Sequence, residues 1–140
     1  MYRWLVSRKV QAGFASLGQG DPTPILRLFR DGSHFLFPGD HSWALDTTDR
    51  SVVAAWFSRF AALHPTFTVH DVLVKGPPWK TLVAVHGEDR VDLPDGYVYR
   101  NEWAQRLRLS WGRVEEDRLY VDTQRVAALD VHLTPVARGG

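Results

Sequence analysis

The chain has 140 residues, which is the size of one domain with a core of its own, and we expect a single domain spanning residues 1–140. Hydrophobic residues make up 44% and charged residues 24%, so the chain is an ordinary globular sequence and not a disordered one. A formal charge of +1 offers no overall electrostatic case for nucleic acid or an anionic membrane, and the absence of cysteine excludes disulfides, thiol nucleophiles and thiolate metal sites.

The N-terminal segment lacks the apolar core of a signal peptide, and no apolar run reaches the roughly 18 to 20 residues of a membrane span. A cytoplasmic location is the expectation. Between Tyr2 and about Leu17, the residues Leu5, Val6, Val10, Phe14 and Leu17 recur at mostly helical spacing, and Gly18 and Gly20 stop the helix. Asp21 followed by Pro22 reads as a cap and first helical residue, which predicts a short helix over PTPILRLF burying Ile25, Leu26 and Phe29. Asp31-Gly32 ends it. HFLF is a short strand candidate and PGDH a turn.

Thr47 and Thr48 are cap candidates for a third helix, whose stripe is Val52, Val53, Trp56, Phe57, Phe60 and Leu63 and which Pro65 terminates. TFTVHDVLVK then reads as a strand, with His70 on the side of Thr68, Val72 and Val74 and so expected inward in a hydrogen-bonded structural role, and Gly76-Pro77-Pro78 as a turn. Two runs with a two-residue period follow, WKTLVAVHGEDRV and YVYRNEWAQRLRLSWGR, joined by LPDG. In the second, Tyr97, Tyr99, Asn101, Trp103, Gln105, Leu107, Leu109 and Trp111 share one side, and Arg100, Glu102, Arg106 and Arg108 the other. Alternation of this length requires a half-buried antiparallel strand. VEEDRLYV is a last strand, a helix starts near Asp122 or Thr123, and the tail ending in Arg138-Gly139-Gly140 is expected to fray. Helices first and antiparallel strands after them predict an α+β fold, a curved sheet wrapped around helices and open at one end as a pocket.

FPGDH, VAAWF, VHDVLVKGPPW, LPDGYVYRNE, LRLSWGRV and YVDT together resemble the SnoaL-like branch of the nuclear transport factor 2-like superfamily, over nearly the whole chain. Relatives there include polyketide cyclases, ketosteroid isomerases and limonene epoxide hydrolase. The resemblance implies a cone-shaped antiparallel sheet, a small organic ligand held in the cone, no cofactor, and a homodimer packed through the outer sheet face. It also places His86 and Glu88 where the hydrolase carries an Arg-x-Asp pair.

A histidine beside a carboxylate can serve acid–base chemistry, so His86 and Glu88 are the leading catalytic candidates, with an exposed pair at the strand end as the competing reading. Asp122 is the third, for SnoaL-like cyclases use an Asp near the chain end. It has equally the chemistry of a helix cap. Tyr99, Asn101, Trp103, His41, Trp43 and Trp79 are the ligand-binding candidates, although Asp40 and His41 also suit a plain turn and the tryptophans plain core packing. Phe35, Phe37 and Leu119 stand where the hydrolase carries its water-holding and basic residues, which argues against that enzyme's mechanism. The six histidines show no metal-ligand spacing, and no metal is expected. The reading thus favours a pocket protein with acid–base chemistry, against a binding or dimerisation module filled by its own side chains.

Overall fold

The computed structural model describes residues 1–133; the expected fraying of the tail lies outside them. Helix α1 (Tyr2–Gly18) leads through α2 (Thr23–Leu26) into β1 (Phe29–Phe37) and β2 (Leu45–Thr47). Helix α3 (Arg50–Ala61) precedes strands β3 (Thr66–Lys75), β4 (Thr81–Asp92), β5 (Val98–Ser110) and β6 (Arg113–Val121), and α4 (Thr123–Asp130) follows. The strands form one unclosed sheet in the order β2-β1-β6-β5-β4-β3. All pairs are antiparallel except β1 with β6. The α+β cone expected from the sequence is the architecture observed. No helix among the described residues is long and apolar enough to cross a membrane.

Several local expectations change. Phe29 opens β1 and does not end a helix, because α2 stops at Leu26 after one turn. Asp21 still accepts from Thr23 N at 2.9 Å, although Pro22 occupies the cap position. The cap of α3 is Asp49, whose carboxylate accepts from Ser51 N at 2.8 Å, and neither Thr47 nor Thr48 takes that place. Thr47 Oγ1 instead accepts from Asp49 N at 3.1 Å and so holds the capping residue.

The core lies between the concave sheet face and α1, α3 and α4. Phe35, Trp56 and Phe57 form its densest part, with Phe35 4.9 Å from Trp56 and 5.5 Å from Phe57 between ring centroids. Tilted and edge contacts at such distances are the favoured aromatic geometries and add about 0.5–1.5 kcal/mol per pair beyond burial.

Candidate functional site

Alternation along β5 is as expected. Tyr99, Asn101, Trp103, Leu107 and Leu109 are buried on the concave face, and the arginines of the same strand lie outside. β4 behaves differently from its expected facing. Its pairing with β5 sets Gly87 against Trp103 and Asp89 against Asn101, so odd-numbered residues of β4 share the concave face. His86 is opposite Ala104 and Glu88 opposite Glu102, both on the outer face.

The expected pocket position of His86 and Glu88 is therefore corrected to the outer surface. His86 Nε2 bonds Glu102, with Asp71 on its other nitrogen at 3.4 Å, and the Glu102 hydrogen bond is the largest cause holding its pKa above 6.5. Glu88 takes His70 Nε2 at 2.9 Å. His70 also faces out and not in, because a bulge between Val69 and Asp71 shifts the register of β3.

What the inward face of β4 brings to the cone is Asp89, which sequence reasoning missed. Its neighbours are Phe67 on β3 and Asn101 on β5, and it lines a cavity walled by Trp43, Trp56, Phe60, Tyr99, Trp103 and Gln105, among others. Asp89 Oδ1 is buried with no hydrogen-bond partner among the described residues. Burial disfavours the carboxylate and pushes its pKa from 3.8 to about 7. The Trp43 and Trp103 indole nitrogens are likewise buried without acceptors. One carboxylate oxygen and two indole donors without partners among the described residues thus belong to the same aromatic wall.

Tyr99 and Asn101 flank this acid on the next strand. Asn101 Nδ2 donates to Tyr99 Oη at 2.8 Å and to Asp122 O at 2.9 Å, which fixes both side chains. The Tyr99 phenol is pushed well above its ordinary pKa, first by burial and then by the charge of Asp89, so it stays a neutral hydroxyl. Gln105 lies four residues beyond Asn101, roughly 13 Å along the strand. Its Nε2 donates at 2.8 Å to Asp117, a carboxyl only 2% exposed and raised to about 7 by burial.

The remaining candidates scatter. Asp122 caps α4, accepting from Gln124 N at 3.1 Å, which is the cap chemistry weighed for it. His41 packs its ring on Phe37 at 4.7 Å and bonds Pro38 O at 3.1 Å, and desolvation lowers its pKa. Trp43 lines the cavity, with Arg59 stacked 3.8 Å over its ring. Trp79 does not; it is exposed and stands beside Trp111. Among the described residues no cluster of metal-ligating side chains occurs.

The cavity itself measures about 70 Å³. That is less than half of the roughly 150 Å³ that admits a benzene ring into a protein core. Any guest is therefore compact, or displaces an aromatic side chain on entry.

No family model matches the chain, and no curated protein matches it. Solved structures do match in fold. A protein of unknown function described as nuclear transport factor 2-like, from Burkholderia pseudomallei, superposes with a TM-score of 0.73 at 14% identity, over 89% of this chain and 96% of its own. The epoxide hydrolase/cyclase-like enzyme SalBIII, described in pyran ring formation in the polyether salinomycin, gives 0.71 at 15% identity, over 87% and 94%. A hypothetical protein from Catenulispora acidiphila with a ketosteroid isomerase-like fold, in complex with trimethylamine, gives 0.69 at 18%, over 91% and 97%. The chain accordingly has the nuclear transport factor 2-like fold. Its neighbours in that fold include cyclase-, hydrolase- and isomerase-like proteins beside others of unknown function, and a fold shared so widely leaves the reaction open.

Proposed function

We propose that the protein takes a compact, partly apolar organic molecule into its cone and moves a proton on it, with Asp89 as the acid–base group. One observation carries this reading: Asp89 lies in an aromatic cavity with its Oδ1 buried and without a hydrogen-bond partner among the described residues, and its pKa is raised to about 7. A carboxyl titrating near neutrality exchanges protons efficiently at working pH, and desolvation plus a cleft is the usual setting for such a group. Tyr99, held by Asn101, supplies a neutral hydroxyl at the same end of the cavity. The Trp103 indole supplies a further donor for an oxygen of the guest. This chemistry takes the place of the His86 and Glu88 pair. No cofactor takes part, and the outer sheet face pairs with a second copy of the chain in the cytoplasm.

The small cavity supports a second reading, in which the cone is a closed core and the protein a binding or dimerisation module. A carbon-13 titration of the Asp89 carboxyl, with a thermal-shift screen of small ketones, phenols and epoxides, separates the two. The first reading expects a midpoint near 7 and at least one compound that raises the melting temperature of the native protein but not of Asp89→Asn. A carboxyl titrating normally, or compounds that stabilise both forms equally, would leave Asp89 without a role. A raised midpoint with no compound bound favours the module.

A further inference from the structure

Three of the six tryptophans lie outside the core. Trp4, Trp79 and Trp111 are 56%, 59% and 69% exposed. They come from three segments that meet at one end of the sheet. Tyr2, in the first turn of α1, bonds Thr81 Oγ1 at 2.6 Å, which ties the start of that helix to the start of β4. Trp79 and Trp111 occupy the turns before β4 and after β5, their ring centroids 5.9 Å apart, and Trp111 N donates to Pro78 O at 2.7 Å. An exposed aromatic pair on adjoining turns, with a third exposed tryptophan in the first turns of α1, is unexpected on a surface that faces only water.

The charge around them is one-sided. Residues 1–20, 72–87 and 103–114 contain no Asp or Glu, yet hold eight of the 17 Lys and Arg. Arg106 and Arg108 are drawn to Glu116 at 3.0 and 3.8 Å. The other six, Arg3, Arg8, Lys9, Lys75, Lys80 and Arg113, make no ion pair with a side-chain carboxylate among the described residues. The net charge of +1 conceals this segregation.

We propose that this end docks the protein on an anionic lipid surface, with Trp4, Trp79 and Trp111 in the headgroup layer and the unpaired cations against lipid phosphates. Indole rings favour the membrane–water boundary, and Lys and Arg lay apolar stems along it while their heads meet the anionic groups. The charge complementarity would serve nucleic acid as well, but strand binding requires a groove that tracks a backbone past stacking rings. This end offers separate turn tips and a helix start, which suit a soft plane. Asp89 lies eight residues beyond Thr81, roughly 26 Å along β4, so docking leaves the Asp89 end of the cone directed away from the lipid. The docking is independent of the acid–base reading.

Flotation with vesicles of phosphatidylcholine alone, or with three-tenths phosphatidylserine, tests it on the full chain. The expected result is flotation with the serine lipid only, reversed by high salt, with a blue shift of tryptophan emission. Lys75→Gln with Lys80→Gln weakens partitioning about fivefold for each cation removed, and Trp79→Ser with Trp111→Ser reduces the blue shift to what Trp4 contributes. Brominated lipid quenches the wild-type emission if the rings enter the headgroup layer, a readout that needs no variant to fold. Absence of flotation with the serine lipid overturns the proposal, as does tighter binding to a thymidine 20-mer than to those vesicles.

Discussion

Gly87 and Trp103 face one another across β4 and β5, so closely that a Cβ built on Gly87 would lie 2.6 Å from the Trp103 ring and 2.6 Å from Thr68 O. The indole occupies the space that any side chain at position 87 would claim. Its rotamer, and with it the cavity wall, depends on that missing carbon. Gly87→Ala should cost about 1–3 kcal/mol through overpacking and alter the indole N–H resonance of Trp103. Chemical unfolding and a proton–nitrogen spectrum of the tryptophan side chains check both, and a neutral substitution would show that the ring is free to turn.

Asp89 and Asp117 make stability depend on pH in a defined direction. Each carboxyl is raised from 3.8 to about 7 by burial, so the folded chain holds protons that the unfolded chain releases. Their contribution is complete below about pH 4 and is lost as pH rises through about 7. The melting temperature should therefore fall between about pH 4 and 7 in the wild type and level off above. The fall should flatten in Asp117→Asn, which keeps an oxygen for Gln105 and removes the charge. A tenfold change in proton affinity is worth about 1.4 kcal/mol, so the variant should gain up to about 4 kcal/mol at pH 8. A profile that rises with pH would contradict the assignment of either carboxyl.

Gln105 offers a separate check on the same end of the cone. Gln105→Leu removes the only side-chain donor found for Asp117 among the described residues and should destabilise the fold by about 1–3 kcal/mol. The penalty should shrink below about pH 5, where Asp117 is protonated in both chains. Denaturant titrations at two pH values give the comparison.

His86 should behave as a group outside the cavity. Glu102 and Asp71 raise its pKa, so its small stabilising contribution is present below pH 6.5 and disappears as pH rises through the folded value. Glu102→Gln should move the proton NMR midpoint of His86 down toward 6.5 while leaving any cavity ligand bound as before. A change in ligand affinity would return His86 to the site.

The fold was largely legible because apolar periodicity is a local property. The stripe from Val52 to Leu63 and the alternation from Tyr97 to Leu109 each identify an element without its neighbours. Facing on β4 was not legible in the same way. Val83 and Val85 alternate with Leu82 and Ala84, so both sides are apolar and neither is marked as inner. Leu93 N bonds Tyr97 O across the Pro94-Asp95-Gly96 tip, and that closure sets equal parity on the two strands. Given the inward Tyr99, this signal alone would have turned His86 outward and Asp89 inward. The bulge that turned His70 outward leaves no such mark. Charge segregation was equally hidden, since it arises when three distant segments meet.

The parallel pairing of β1 with β6 has a consequence for how the chain acquires its shape. Phe29 aligns with Val114, and Ser33 Oγ donates to Val114 O, so strands made first are completed by one of the last. β1 and β2 alone are a hairpin with one bare edge, and Phe35 has no floor until Asp117 arrives beside it. Contacts so distant along the chain delay folding until most of the sequence is present. Synthesis from the N-terminus therefore leaves the aromatic half of the molecule waiting, exposed, for the final third of the chain.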